Sequence, residues 1–243
     1  MRALLFDLDG TLIDSMPHHH DAWAQWYARR GLAMGTGDFF SATAGRSNAE
    51  ILLDLFPALS VQQHVAMADE KEAIYRELAA RSLALIGGAQ AFVEQARAAG
   101  LRLAVCTAST LPNMALAFER HGIDRWVETV VSPADTMSGP GAGATMSGPG
   151  AGARVRGKPH PDIFLEAARR LGVEPAHCVV FEDAPLGVEG ARRAGMKAVA
   201  LTTTLSAEAF AAFDNLIAVA PDFTSLALSE LIRAHSAHPQ GNP

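Results

Sequence analysis

The stretch ALLFDLDGT at residues 3–11 passes from an unbroken apolar run straight into two aspartates, a glycine and a threonine. Such a run, without alternation, is typical of a strand that is covered on both faces of a parallel sheet. Helix-length periodic stretches, several of which end in glycine, separate this run from the next ones. The further apolar runs occupy residues 101–107, 127–131, 178–181, 197–202 and 217–219. This alternation predicts an α/β fold built on a doubly wound, Rossmann-like parallel sheet.

One region interrupts the alternation, because residues 17–83 show helical periodicity and contain no convincing strand. The apolar faces of three helices are indicated by Trp23, Trp26, Tyr27 and Leu32, by residues 51–56 and by residues 61–78. We therefore expect an α/β core and a small α-helical cap domain inserted after the first strand. The expected boundaries are residues 1–15 and 85–233 for the core, 16–84 for the cap and 234–243 for a disordered tail.

The composition limits the class of protein. The chain has 243 residues, 49% of them apolar, which suffices to bury a core without covalent staples. Its net charge of −6 disfavours nucleic acid or an anionic membrane as a partner. No apolar run reaches the length of a membrane span, and Asp7 comes too early for a signal peptide. Cys106 and Cys178 lie in apolar runs, which is typical of buried, reduced thiols, so we expect a cytoplasmic protein. We also expect a monomer.

Reactive side chains follow four of the predicted strands. In open parallel sheets the ligand site forms beyond the carboxyl ends of the strands, so these side chains should meet in one crevice. They are Asp7 and Asp9 after the first run, Thr107 with Ala108 and Ser109 after the second, Lys158 after the third, and Glu182 and Asp183 after the fourth. Each group alone is also compatible with a turn, a helix cap or a solvated loop, but their joint placement favours a functional site.

The carboxylates point to phosphoryl transfer. Asp7, Glu182 and Asp183, without accompanying cysteines or multiple histidines, offer the hard oxygen ligands that Mg²⁺ prefers. Mg²⁺ neutralises phosphate charge and allows Asp7 to attack phosphorus as a nucleophile. Asp9, on the same side of the extended strand, can serve as general acid and then as general base.

The other groups at the strand ends suit the phosphoryl oxygens. Lys158 can hold their charge, and the Thr107 hydroxyl with the backbone N–H groups of Ala108 and Ser109 can hold the rest. Gly10 permits the tight turn that lets a phosphate approach the backbone. The sequence therefore predicts a phosphate-binding cradle beside the carboxylates.

Four motifs resemble, in order, those of the haloacid dehalogenase-like (HAD) superfamily. They are Asp7-Leu8-Asp9-Gly10-Thr11-Leu12, the strand end at Thr107, Gly157-Lys158-Pro159-His160-Pro161-Asp162 and Phe181-Glu182-Asp183-Ala184. The helical insertion looks like the C1 type of cap. Within the superfamily, the chain most resembles the β-phosphoglucomutase-like phosphatases, over nearly its whole length.

The resemblance implies an aspartyl-phosphate mechanism. In it Asp7 is the nucleophile, Asp9 is the acid/base, and Thr107 and Lys158 bind the transferring phosphoryl group. It further implies that Mg²⁺ is held by Asp7, Asp183 and the Asp9 carbonyl, with Glu182 close by.

The predicted cap matches the mutases only in part. His19 and Lys71 are similar to cap residues of β-phosphoglucomutases. Where those mutases have an arginine for a second phosphate, Gly45-Arg46-Ser47 is followed here by Asn48, with Arg46 as the alternative cation. We expect His19, Arg46 and Lys71 to face the substrate.

The absent arginine favours a Mg²⁺-dependent phosphatase of small phosphorylated metabolites, most naturally sugar phosphates. One alternative is a phosphosugar mutase, which isomerises a hexose 1-phosphate without net release of phosphate. Another is a non-catalytic HAD-fold binding protein, which the intact Asp7 and Asp9 disfavour. A dehalogenase would need no Mg²⁺ cluster, so Asp9 and Asp183 argue against it.

A tandem repeat interrupts the core. Residues 136–144 read TMSGPGAGA, and residues 145–153 repeat the same nine. Glycine does not occupy every third position, which excludes a collagen helix, and two copies are too few for a solenoid. Large apolar side chains are nearly absent, so we expect a flexible loop. Without residues 136–153, Asp135 and Lys158 would be as close in sequence as in the similar proteins, so we interpret the repeat as one discrete insertion.

Deleting residues 136–153 should leave turnover within about threefold of the intact chain, because long surface insertions cost little stability. The measurement is phosphate release by the two chains under the same conditions. A collapse of activity in the shortened chain would instead identify the repeat as a functional flap beside Lys158.

Overall fold

The centre of the molecule is one six-stranded sheet. The computed structural model describes residues 1–34, 43, 46, 48–132 and 156–237. The strands are β1 (Ala3–Phe6), β2 (Arg102–Cys106), β3 (Thr129–Val131), β4 (Cys178–Glu182), β5 (Lys197–Leu201) and β6 (Leu216–Ala220). They are all parallel and lie in the order β3-β2-β1-β4-β5-β6. This arrangement confirms the predicted α/β fold with a doubly wound sheet.

Eight α-helices lie in the described part of the chain. They are α1 (Met16–Arg29), α2 (Asn48–Leu55), α3 (Val61–Ser82), α4 (Ala89–Ala98), α5 (Leu111–His121), α6 (Asp162–Leu171), α7 (Pro185–Arg193) and α8 (Leu228–Ala237). Among these described helices, none combines the length and the apolar character that crossing a membrane requires.

The strand at the start of the sequence is buried from both sides. Leu4 and Phe6 belong to one apolar layer, and Ala3 and Leu5 belong to a second layer. All four are fully buried, because successive side chains of a strand point to opposite faces and helices cover both. The unbroken apolar run of β1 follows from this position in the middle of the sheet.

The order of the strands places the site. β1 lies between β2 and β4. The chain continues from β1 to one side of the sheet through β2 and β3 and then crosses to the other side at β4, so a crevice opens at the carboxyl ends of β1 and its neighbours. The backbone N–H of Asp7 donates to the carbonyl of Phe181 at 3.0 Å, which carries the pairing of β1 with β4 one residue further. The first aspartate of the opening motif is therefore fixed at the mouth of the crevice.

Helices α1, α2 and α3, here called the helical unit (residues 16–82), occur between β1 and β2. Trp26 and Tyr75 are fully buried there, and the rings of Trp23 and Trp26 meet edge to face at 5.4 Å. The interpretation of Leu32 as part of the first helical face is wrong. α1 ends at Arg29, Gly31 has a φ of +65°, and Leu32 is 41% exposed.

Two linkers connect the helical unit to the sheet and lie side by side. The backbone N–H of Asp14 donates to the Ala84 carbonyl at 2.9 Å, and that of Ile86 donates to the Leu12 carbonyl at 3.0 Å. An antiparallel bridge between Ile13 and Leu85 lies between these two bonds. The chain therefore enters and leaves the helical unit at one point, which is the geometry that a hinge requires.

The predicted start of the disordered tail, residue 234, is too early in the chain. α8 continues to Ala237, so residues 234–237 are helical. The reason is an anchor on His235, whose Nδ1 lies 3.1 Å from the N-terminal ammonium and whose Nε2 lies 3.1 Å from the Ala176 carbonyl. The rest of the predicted tail and the repeat at residues 136–153 lie outside the described residues.

Two glycines let the backbone approach the carboxylates. A Cβ at Gly10, whose φ is +72°, would lie 2.1 Å from Oδ2 of Asp183. A Cβ at Gly187, in the first turn of α7, would lie 1.9 Å from Cδ of Glu182. Both distances are far below contact, so each carboxylate occupies space that any other residue would fill.

Replacing Gly187 by alanine should therefore displace Glu182 and lower the free energy of unfolding by about 1–3 kcal/mol. Helix propensity alone predicts the opposite sign, since alanine stabilises a helix interior by about 1 kcal/mol relative to glycine. Chemical denaturation measures the change. Gly157→Ala is the matched control, because no described atom lies within 4 Å of a Cβ there. Equal stability of both variants would contradict the packing argument.

Candidate active site

A buried cluster of charged groups lies at the carboxyl ends of the strands. Oxygen atoms of Asp7, Glu182 and Asp183 all lie within 4.8 Å of one another. Lys158 Nζ lies 2.5 Å from Asp7 Oδ1 and 2.5 Å from Glu182 Oε1. The structure thus brings together four of the predicted site residues, from three separate segments of the chain.

The electrostatics of this cluster favour an added cation. Burial raises the pKa of Glu182 to about 8, with Lys158 opposing the rise and the charge of Asp7 adding to it. Burial and the Asp7 charge likewise raise the pKa of Asp183 to about 7. Burial alone lowers the pKa of Lys158, but Asp7 and Glu182 outweigh it and raise that pKa. Three carboxylates share one ammonium, and their all-oxygen donor set fits a hard divalent cation such as Mg²⁺.

Hydroxyl groups fix the orientation of Asp183. Thr204 donates to its Oδ2, and Thr11 donates to its Oδ1 at 3.5 Å. Thr203 donates to the Gly10 carbonyl at 2.5 Å, which ties the loop after β5 to the opening motif. Thr203 and Thr204 were not singled out from the sequence, and the only signal is a run of threonines at another strand end.

The predicted phosphate cradle follows β2. Thr107 is fully buried, and its hydroxyl accepts a hydrogen bond from the backbone N–H of Ser109 at 3.0 Å. Its own N–H donates to the Val131 carbonyl at 3.0 Å, so the residue still belongs to the sheet. Ala108, between the two, is exposed. The turn at residues 107–109 is therefore held by Thr107 from the sheet side.

Asp9 lies beside the cluster and faces the helical unit. Its side chain is 20% exposed, and its Oδ1 lies 3.6 Å from Nε2 of His19. Burial alone raises the pKa of Asp9, but His19, Ser15 and Ser109 outweigh it and hold that pKa below its ordinary value. Asp9 is consequently a carboxylate near neutral pH, the form that accepts a proton.

His19 is fixed by two further residues of α3. Lys71 Nζ lies 2.6 Å from Nδ1 of His19, and the His19 ring stacks on Tyr75 at 3.9 Å. An ammonium can only donate, so Nδ1 is the acceptor, and the other ring nitrogen is the one that carries a proton toward Asp9. Two of the predicted cap residues, His19 and Lys71, thus contact each other, and His19 faces Asp9.

A polar network that the sequence did not predict continues from Lys71. Glu72 accepts from Lys71 at 3.0 Å, from Asn113 at 2.5 Å and from Asn48. Asn113 in turn accepts from Arg76 at 3.1 Å. Asn48 occupies the position where the mutases have arginine. That difference is the one signal in the sequence that pointed to the network around Glu72.

Arg46 has a different partner from the one expected. Its Nη2 donates to Asp54 Oδ2 at 2.6 Å and to the Glu50 carbonyl at 3.2 Å, both on α2. The contacts of Arg46 are thus with α2 rather than with the carboxylate cluster. A role in substrate binding stays a prediction for this residue.

Comparisons with known proteins agree with the motifs. The model of the haloacid dehalogenase-like hydrolase family matches residues 1–195. Validoxylamine A 7′-phosphate phosphatase from Streptomyces hygroscopicus subsp. limoneus is 33% identical over 220 residues, 89% of this chain and 92% of that protein. Hexitol phosphatase A from Escherichia coli (strain K12) is 32% identical over 211 residues, 82% of each chain.

A solved structure shows the same architecture. The HAD hydrolase of family IA, variant 3, from Entamoeba histolytica HM-1:IMSS superposes with a TM-score of 0.80 at 25% identity. The match covers 97% of this chain and 100% of that one. Sequence, fold and site agree, and the chain belongs to the haloacid dehalogenase-like hydrolases.

Proposed function

We propose that the protein is a Mg²⁺-dependent phosphatase that hydrolyses small phosphorylated metabolites, sugar phosphates in particular, through a phosphoryl group carried on Asp7. The observation that carries this proposal is the buried Asp7 carboxylate, whose Oδ1 contacts Lys158 and which shares its cluster with Glu182 and Asp183. A carboxylate held beside a fixed ammonium is placed to meet a phosphorus atom whose oxygens that ammonium neutralises.

In the first step, a carboxylate oxygen of Asp7 forms a bond to phosphorus, and the bond from phosphorus to the ester oxygen breaks. Asp9, a carboxylate in the free protein, takes up a proton from the phosphate monoester on binding and gives that proton to the leaving oxygen. Lys158, the Thr107 hydroxyl and the N–H groups of the turn at 107–109 hold the phosphoryl oxygens. The products of this step are the free alcohol and phosphorylated Asp7.

In the second step, water attacks the phosphorus of phosphorylated Asp7. Asp9, now a carboxylate, takes the proton of that water, and the bond between Asp7 and phosphorus breaks to release inorganic phosphate. Mg²⁺, for which Asp7, Asp183 and the Asp9 carbonyl are the proposed ligands with Glu182 close by, supplies charge neutralisation at the phosphate. The contact of His19 with Asp9 supports this second role of Asp9, because it favours the carboxylate.

The relatives support the substrate class. Validoxylamine A 7′-phosphate phosphatase is named for a small phosphorylated metabolite, and hexitol phosphatase A is named for phosphorylated hexitols. The two free, buried cysteines support a reducing, cytoplasmic location. The net charge of −6 supports a small phosphorylated substrate rather than nucleic acid.

Contacts of the helical unit favour the phosphatase over the mutase. A mutase must hold a second phosphate between the helical unit and the core. Lys71 is paired with Glu72, Arg46 is paired with Asp54, and Asn48 is bound to Glu72. Carboxylates of the helical unit therefore already balance the charges of Lys71 and Arg46, and these two side chains offer a second phosphate little positive charge.

The proposal predicts that the wild-type protein with Mg²⁺ releases inorganic phosphate from a panel of hexose and hexitol phosphates. Asp7→Asn should lower this release by at least about 10³-fold, because the amide is nearly the same size but is no nucleophile. Asp14→Asn, at an exposed aspartate of the same segment, is the control and should keep full activity. Activity that survives in Asp7→Asn would refute the mechanism. Isomerisation of glucose 1-phosphate without phosphate release would instead assign a mutase.

The proposed metal site predicts direct binding of Mg²⁺. Calorimetric titration with Mg²⁺ alone should show saturable binding, and Mg²⁺ should raise the melting temperature of the wild-type protein. Asp183→Asn should weaken this binding by at least about tenfold, because it removes one charged oxygen ligand. Asp124→Asn, at an exposed position of the core, should bind like the wild type. Equal Mg²⁺ affinity of Asp183→Asn and the wild type would exclude Asp183 as a ligand.

A further inference from the structure

Helix α3 of the helical unit lies beside α5, and the contacts between the two helices lie near the two ends of α5. At the C-terminal end of α5, Arg120 donates to the carbonyls of Leu83 at 2.6 Å and Ala80 at 3.2 Å. His121 Nε2 lies 3.1 Å from the same Leu83 carbonyl. These contacts satisfy carbonyls that the end of a helix leaves without partners, and they lie next to the paired linkers.

The second contact lies further along α3, away from the linkers. Asn113, in the first turn of α5, donates its amide to Glu72 Oε2 at 2.5 Å and accepts from Arg76 at 3.1 Å. Glu72 and Arg76 are four residues apart, so they lie on the same face of α3. Asn113 is 3% exposed and Glu72 is 5% exposed. One buried amide is thus held through both its donor and its acceptor by a single helix.

The same carboxylate leads to Asp9. Glu72 accepts from Lys71 at 3.0 Å, Lys71 contacts His19 at 2.6 Å, and His19 faces Asp9 at 3.6 Å. On the other side, Asn113 belongs to the helix that follows the turn at residues 107–109. Glu72 therefore connects Asp9, the proposed acid/base, with the turn at residues 107–109, which is proposed to hold the phosphoryl oxygens.

We propose that Glu72, Arg76 and Asn113 form a latch that holds the helical unit closed, with Glu72 as a positioning residue that delivers Lys71 and His19 to Asp9. The proposal rests on the proposed function, since Asp9 is the acid/base of that reaction. Glu72 touches no reacting atom in this scheme. It acts through Lys71 and His19, and it does so only while the unit is closed on Asn113.

The geometry of α3 makes the latch sensitive to opening. Glu72 is eleven residues from Leu83, which is about 16 Å along a helix, so a rotation of about 15° around the linker end moves Glu72 by about 4 Å. The contacts of Arg120 and His121, close to the pivot, hardly change in such a rotation. The hydrogen bonds of Asn113 break, and the same movement withdraws His19 from Asp9. Opening and loss of the contact with Asp9 are therefore one event.

The test compares three variants with the wild type. Asn113→Ala removes both bonds of the latch and leaves Glu72 with Lys71 and Asn48. The double variant Glu72→Gln with Asn113→Asp exchanges donor and acceptor, so that the amide of the new glutamine can donate to the new carboxylate. Glu77→Gln, at an exposed position of the same helix, is the control.

Opening is measured in the absence of substrate, by pulsed electron spin resonance between labels at Val61→Cys and Gln95→Cys. Val61 is 77% exposed and Gln95 is exposed, whereas Cys106 and Cys178 are buried and should not react with the label. The wild type and Glu77→Gln should each give one narrow distance distribution. Asn113→Ala should add a second population at another distance, and the exchanged pair should return to a single narrow distribution.

Kinetics give the second readout. Asn113→Ala should raise KM about tenfold with kcat within about threefold, because substrate binding must then close a unit that no longer closes by itself. The exchanged pair should recover at least half of that loss in KM. Unchanged distances and unchanged KM in Asn113→Ala would overturn the latch, and so would failure of the exchanged pair to restore the distances. If the wild type hydrolyses no phosphate ester, the proposed function fails, and the distance distributions still decide whether the latch exists.

Discussion

Burial of like charges at one point is the constraint on which the structure depends. Asp7, Glu182 and Asp183 lie together away from water, and charged groups in such surroundings need compensation from opposite charge and hydrogen bonds. Lys158 supplies the charge, and the hydroxyls of the strand-end loops supply hydrogen bonds. Parallel neighbours β1 and β4 bring the carboxylates together, and glycines leave room for them. The fold therefore holds these charges together at the carboxyl edge of the sheet.

The carboxylate cluster could be predicted from the sequence because its causes are local. An apolar run that ends in charged residues indicates both a strand and the position of its carboxyl end. The parallel sheet then brings such ends to one edge, whatever the distance along the chain. Lys158 and Asp7 are 151 positions apart and meet all the same. The strand bounds agree with the apolar runs to within a residue or two. In the inner strands β1, β2, β4 and β5, burial on both faces produces the unbroken pattern.

The contacts of the helical unit could not be predicted, because they depend on how helices pack. Glu72 and Asn113 are 41 positions apart, and both are polar residues inside helices rather than apolar face residues or strand ends. A glutamate after a lysine on a helix is ordinarily interpreted as a solvated pair. Arg46 illustrates the converse, since the motif offered it as the alternative cation for a second phosphate, while the structure pairs it with Asp54 of α2. Only the three-dimensional arrangement distinguishes these cases.

The hydrogen bonds between α3 and α5 suit the opening and closing that the proposed latch requires. An apolar interface gains free energy in many similar arrangements, because the hydrophobic effect has no direction. Hydrogen bonds to a buried carboxylate are satisfied in one arrangement, and a carboxylate that loses a partner while still buried is destabilised by about 1–3 kcal/mol. A small rotation therefore separates two distinct states rather than a continuum. Because Glu72 also holds Lys71, the arrangement that satisfies the carboxylate is the one in which His19 faces Asp9.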